Sequence, residues 1–157
     1  MNALLIPTSL FQQICTHAEQ AYPRECCGLL MGQYTGSQKR LIELIPTDNV
    51  WDEDTAELFT EIDAQGSTVQ TQERRYTIAP EILLQAQKQG RDRNLSIIGI
   101  YHSHPNHAAI PSEFDRVCAW WGYSYIIVSV QQGKAVDLRN WCLDEQHQFQ
   151  PEEILRD

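Results

Sequence analysis

Basic residues are scarce in this chain. Lys and Arg total 12 against 21 Asp and Glu, a formal net charge of −9, so the surface would repel a phosphate backbone and nucleic acid is not expected as a partner. Long apolar runs are missing too. No stretch approaches the roughly 20 residues that span a bilayer, and the opening MNALLIPTSLF has neither a basic region nor a small-residue cleavage site, so membrane insertion and export are not expected. Cysteine is too sparse and irregular for a disulfide framework. Cys15, Cys26, Cys27, Cys118 and Cys142 are odd in number and show no C-x-x-C spacing, which argues for reduced thiols in a cytoplasmic protein and against a zinc ribbon. No EF-hand D-x-[DN]-x-[DN]-G and no internal repeat is found either, so calcium is not implied.

The residues that are present fit one globular domain over 1–157. The hydrophobic share is 42% and the charged share 21% of 157 residues, enough for a packed core without wholesale disorder. From Thr8 to Tyr22, apolar residues Leu10, Phe11, Ile14, Cys15 and Ala18 fall at helical spacing, with Pro23 after them, which predicts an amphipathic helix. Cys27–Gly32 and Leu41–Ile45 read as strands of a hairpin joined by the loop Gln33–Arg40. An insertion over about 48–73 follows, with seven acidic residues between Asp48 and Asp63 and no basic residue between Arg40 and Arg74. Its plainest reading is a solvated acidic excursion.

Further on, Arg75–Ile78 reads as a short strand, Pro80 opens a helix over Glu81–Gln89, and Leu95–His102 is an apolar run typical of a buried strand. A helix is expected from Ser112 to Trp121, then strands Tyr125–Val130 and Ala135–Trp141 around a Gln132–Gly133 turn. The tail, 144–157, is polar and weakly determined. Alternating helices and strands predict an α/β domain, a mixed β-sheet covered by helices.

The buried strand runs into His102-Ser-His104-Pro-Asn-His-Ala-Ala-Ile-Pro111-Ser112-Glu-Phe-Asp115. Side chains at i and i+2 of a strand share a face, so His102 and His104 can converge on one metal ion. Ser112 suits a helix cap, which puts Asp115 in the first turn as a third ligand. Three protein ligands with a fourth position left for water is the pattern of catalytic zinc, whereas structural zinc usually takes four. Spacing alone leaves a plainer alternative open: Ser112-x-x-Asp115 is also a capping box, and paired strand histidines occur without metal. Cys118 reads as a helical core thiol, and His17, His107 and His147 as solvated or simple hydrogen-bonding residues. Trp120 and Trp121 fit either a core or a partner surface.

H-S-H-P followed by P-S-x-x-D, with the aspartate eleven positions after the second histidine, resembles the motif of the JAMM (MPN-plus) metalloprotease family. Upstream, Tyr22-Pro-Arg-Glu25-Cys-Cys-Gly28-Leu-Leu-Met-Gly32 resembles that family's P-x-E-x-x-G-L-L-x-G segment. The order of elements agrees over roughly residues 8 to 143, and the short chain is most similar to the stand-alone prokaryotic members. The resemblance implies a cytidine-deaminase-like JAMM/MPN architecture with one zinc per chain held by His102, His104 and Asp115. It also implies Glu25 as general base and Ser112 as an oxyanion stabiliser. A zinc-polarised water needs such a proton acceptor within hydrogen-bond reach. Deamination is not expected, because the zinc deaminases use H-x-E with P-C-x-x-C, whereas this chain has no P-C-x-x-C and carries histidine at the second motif position.

The implied activity is zinc-dependent hydrolysis of a peptide or isopeptide bond at the C-terminal tail of a ubiquitin-like β-grasp protein, such as a sulfur carrier, bound as an extended tail beside a sheet edge. The alternative is a metal-free MPN-type interaction scaffold. Ser103, between the two histidines, faces the other way and reads as structural.

Overall fold

The chain opens with an unexpected strand. Residues 2–49 and 78–157 are described by the computed structural model, and Ala3–Ile6 forms β1. Helix α1 covers Thr8–Ala21, and the hairpin β2 (Cys27–Thr35) and β3 (Gln38–Thr47) follows. The hairpin strands are longer than the apolar pattern shows, because the turn is only Gly36-Ser37, where Gly36 takes φ +63°. The expected acidic insertion and the strand Arg75–Ile78 lie outside the described residues, except for Asp48, Asn49 and Ile78.

Helix α2 spans Pro80–Asp92 with proline in its first turn. Strand β4 is Ser96–Pro105, and the short helix α3 is Glu113–Cys118. Strands β5 (Ser124–Gln131), β6 (Lys134–Leu143), β7 (Phe149–Pro151) and β8 (Glu153–Arg156) complete the chain. Helix α3 stops short of the expected Trp121. Ala119 is already extended at φ −79° and ψ 152°, the Trp120 amide donates to the Tyr125 hydroxyl at 2.6 Å, and Gly122 turns the chain at φ +87°. Both tryptophans are exposed.

Among the described residues, eight strands form one mixed sheet in the order β7-β6-β5-β4-β2-β3-β1-β8. Its two faces carry separate cores. Ile14 and Ala18 of α1 pack with Leu30, Leu41, Ile98, Tyr101, Ile126 and Val128 on one side, while Ala86 of α2 packs with Leu29, Met31, Leu95 and Ile97 on the other. Among the described residues no helix is long and apolar enough to cross a membrane.

Two local features position the site. First, the β2–β4 register shifts at Leu30/Met31, which pair with Gly99 and Ile97 and leave Ile98 as an extra residue. Such a bulge advances the in-out alternation by one. Ile98 and Tyr101 therefore face α1, whereas Ile97 and Ile100 face the opposite side, and His102 and His104 follow Ile100. Second, Gly28 lies opposite Tyr101 in the ladder, and a Cβ there would fall 2.2 Å from the tyrosine ring. The glycine admits that ring beneath α1, where the Tyr101 hydroxyl sits 2.7 Å from His17 Nδ1. Burial pushes the tyrosine pKa up and the His17 pKa down, so a protonated hydroxyl faces a neutral imidazole.

The polar tail is built into the sheet. β7 and β8 occupy opposite edges, yet Glu152 alone separates them, so the sheet curls until its edges meet. Glu152 is buried at that seam. Its carboxylate pairs with Lys39 Nζ at 3.0 Å, accepts from Asn140 Nδ2 at 2.8 Å and from Ser124 Oγ, and Lys39 Nζ also donates to Ser124 Oγ at 2.9 Å.

Candidate metal centre

β4 and β5 run parallel, with His102 opposite Ile127 and His104 opposite Ser129, so both histidines stand at the carboxyl end of a parallel pair. That is where open α/β sheets place ligands. The connection from Asn106 to Ser112 is anchored along its length. Asn106 takes φ +58° and its amide donates to Val130 O at 2.6 Å. Ser129 Oγ donates to His107 O at 2.6 Å, and Trp141 Nε1 to Ala109 O at 3.1 Å. The loop thereby returns Ser112 and Asp115 to the histidines.

At the start of α3, Asp115 N donates to Ser112 Oγ at 3.0 Å while Ser112 N donates to Asp115 Oδ2 at 2.9 Å. The capping box is therefore real. It does not compete with a ligand role, because the same carboxylate reaches His104 Nε2 at 3.2 Å through Oδ2 and His102 Nε2 at 3.3 Å through Oδ1. The two histidine Nε2 atoms are 3.1 Å apart.

Tautomers follow from the surroundings. Ala108 O, 2.9 Å from His104 Nδ1, can only accept, so Nδ1 carries the proton and Nε2 keeps its lone pair in the neutral ring. His102 is fully buried, and burial pushes its pKa down. Burial alone would raise the Asp115 carboxyl, but the charges and hydrogen bonds of His102 and His104 together hold it well below the usual range. An ionised carboxylate is the state in which Asp115 can bind a metal.

The two histidine nitrogens and the Asp115 carboxylate thus face one another at 3.1 to 3.3 Å, each nitrogen against a different carboxylate oxygen. A tetrahedral ion with bonds of about 2.0–2.1 Å sets its ligands about 3.3–3.4 Å apart, so the spacing fits a zinc-sized cation at their common centre. Glu25 enters from the loop before β2. It is 5% exposed, and its carboxylate and the two histidine nitrogens all lie within 4.8 Å of one another. Glu25 and Asp115 thus each lie near the two histidines, and Ser112 is bonded to Asp115.

Residues with no motif signal support them. The Ala108 carbonyl orients His104 without any side chain to mark it in the sequence. Cys26 and Cys27 are free and buried beside Glu25, and burial pushes their thiols up to about 12 and about 11, which leaves them unreactive near neutrality. His147 Nε2 donates to Arg116 O at 2.9 Å, a simple hydrogen-bonding role.

A family model described as prokaryotic homologs of the JAB domain matches residues 7–144, and the chain belongs to that family. A Thermus thermophilus protein named "Probable TtuB-protein conjugate cleaving protease" is 28% identical over 124 residues, which cover 79% of this chain and 68% of that relative. Among solved structures, a Desulfitobacterium hafniense protein determined in solution aligns with a TM-score of 0.75 and 25% identity, covering 99% of this chain and 92% of the other. A JAB1/MPN domain protein from Archaeoglobus fulgidus aligns with a TM-score of 0.51 and 17% identity, covering 99% and 97%, and shares the fold. The JAMM/MPN resemblance read from the motif is thus met in both family and architecture.

Proposed function

We propose that this protein is a zinc-dependent JAMM peptidase that hydrolyses a peptide or isopeptide bond at the C-terminal tail of a ubiquitin-like carrier protein. The observation that carries the reading is the set of ligand separations, 3.1 to 3.3 Å, among His102, His104 and Asp115, with a buried carboxylate beside them. The name of the Thermus relative, which describes cleavage of a protein conjugate, supports a bond between a carrier and its attached group.

His102, His104 and Asp115 would hold the ion, which when bound supplies Lewis-acid chemistry, polarising a carbonyl and bringing the pKa of water towards about 7. Glu25 takes the proton from the attacking water and returns it to the leaving amine nitrogen. Its burial keeps bulk water from competing for that proton. Ser112 spends a lone pair on the Asp115 amide, so its O–H can still donate to the oxygen that gains charge in the tetrahedral state. Ile110, Pro111, Trp141 and Phe149 line a hollow beside Ser112, and His17, Thr47 and Asn49 line a polar one beside Glu25.

The test uses protein purified without chelator and a ubiquitin-like protein fused through its Gly-Gly end to a short C-terminal peptide. About one zinc per chain and metal-dependent release of the peptide are expected, and His104→Ala loses most of the metal together with the cleavage. Undiminished zinc in that variant removes His104 from the site, and protein that takes up no zinc favours the scaffold alternative.

Ser112→Ala separates cap from catalysis. Loss of the cap costs about 1 kcal/mol, whereas loss of an oxyanion donor lowers turnover per zinc-loaded molecule by about 10². Ser112→Asp restores the cap but sets negative charge against the developing oxyanion, so melting temperature recovers and rate does not. Full turnover in Ser112→Ala would leave only the cap.

A further inference from the structure

Ser103 is the residue between the two histidines, fully buried and turned toward α1, away from the metal centre. It stands opposite Cys26, just where the β2–β4 ladder begins at Cys27 and His102. The Ser103 amide donates to Cys26 O at 3.2 Å, as a ladder requires. The return bond does not follow the ladder: the Cys26 amide donates to Ser103 Oγ at 2.8 Å, so a side chain replaces the main-chain carbonyl that antiparallel pairing would supply.

The consequence concerns the peptide unit joining Glu25 to Cys26. Its N–H end is held by Ser103 Oγ, and its C=O end, the carbonyl of Glu25, accepts from Asn49 Nδ2 at 3.2 Å. Fixing both ends of one peptide plane fixes where the Glu25 Cα sits and leaves rotation about its Cα–C bond as the freedom between that plane and the side chain. Because Ser103 shares a strand with His102 and His104, the Glu25 Cα and both histidines are referred to one rigid element.

We propose that Ser103, with Asn49 at the other end of the same peptide, is a positioning residue that aims Glu25 at the metal centre. The proposal rests on the reading of Glu25 as the base. It predicts a loss in turnover without a loss of ligands, since the bonds that Ser103 Oγ and Asn49 Nδ2 make to this peptide hold main-chain atoms of Glu25 and Cys26.

The experiment measures zinc content, amide exchange at Cys26 in the metal-free protein, and steady-state kinetics on the Gly-Gly fusion described above. Misplacing a reacting group by about 1 Å can cost about 10²-fold, so Ser103→Ala is expected to lower kcat by about 10- to 100-fold with KM within about twofold. Zinc stays near one per chain, and exchange at Cys26 becomes faster even without metal. Ser103→Thr keeps the hydroxyl and restores kcat. Asn49→Ala, at the more accessible end of the clamp, lowers kcat in the same direction and keeps the proposal testable should Ser103→Ala not fold. In a Glu25→Gln background neither substitution lowers the residual rate further, because residues acting through one group are not additive. Wild-type kcat in folded Ser103→Ala or Asn49→Ala overturns the clamp while leaving the peptidase reading intact, as does a full additional loss in the Glu25→Gln background. Wild-type activity in Glu25→Gln alone overturns the base assignment and the clamp with it.

Discussion

Glu25→Gln is expected to fold, bind zinc and hydrolyse the fusion about 10² to 10⁴ times more slowly than the native protein, the range set by removing a general acid–base group. The amide preserves the shape of a side chain that is only 5% exposed but cannot take up a proton. The comparison with Asp115→Asn makes this more than a test of importance. Both carboxylates approach the histidine nitrogens, Asp115 at 3.2 and 3.3 Å and Glu25 within 4.8 Å, so either could in principle serve as ligand. Asp115 has the separations of a ligand and is already oriented by the Ser112 amide, which leaves Glu25 for the proton. Elemental analysis and rate on the same preparations decide the matter: metal kept by Glu25→Gln and lost by Asp115→Asn is the expected pattern. The reverse pattern would exchange the two roles, and a near-native rate in Glu25→Gln would place the base elsewhere.

Glu152→Ala is expected to destabilise the protein by about 3–5 kcal/mol, the cost of stranding one member of a buried ion pair. The Glu152 side chain is fully buried and that of Lys39 is 9% exposed, so water cannot re-solvate the ammonium once its partner is gone. Asn140 Nδ2 and Ser124 Oγ lose the same acceptor. The effect comes from the stranded charge and not from any large gain made by the pair, because taking two ions out of water costs nearly as much as their attraction returns. The double variant Lys39→Met with Glu152→Leu should therefore recover most of the stability lost by Glu152→Ala. Chemical denaturation of the single and double variants reads this directly. A loss below about 1 kcal/mol in Glu152→Ala would show that the seam tolerates an unpaired lysine.

The cluster proposed to hold the metal was legible in the sequence because its chemistry is written in side chains. Two histidines at i and i+2 and a capped aspartate declare a converging set, and Pro-x-Glu ahead of Cys27 supplied the remaining member by resemblance. Helices α1 and α2 were legible because their apolar residues recur on one face above a packed sheet. The bulge at Ile98 was not, since the run Ile97-Ile98-Gly99-Ile100 is apolar on both faces and hides any change of alternation. β1 escaped notice because four residues are too few to show a period. β7 and β8 escaped because their partners, Trp141–Leu143 and Ala3–Ile6, lie elsewhere in the chain and impose strand structure on polar residues that have little preference of their own. The strand β4 runs on to Pro105, past the expected end at His102, because its parallel neighbour continues to Val130. Asp115 was read as either cap or ligand, and the geometry shows one carboxylate serving contacts of both kinds.

The pairing of β1 with β8 has a consequence for synthesis. Residues 3–6 leave the ribosome before their partner, and the strand that covers their outer side, Glu153–Arg156, is made some 147 residues later. At about 5–20 residues per second that interval is roughly 7–30 s. During it the Ala-Leu-Leu-Ile segment can dock on β3 through its inner side, while its other side stays an uncovered apolar edge of the kind that recruits foreign strands. A nascent chain stalled before residue 153 would therefore present a sticky template, and the finished protein would hide it only when the segment beyond Glu152 crosses the seam and zips alongside.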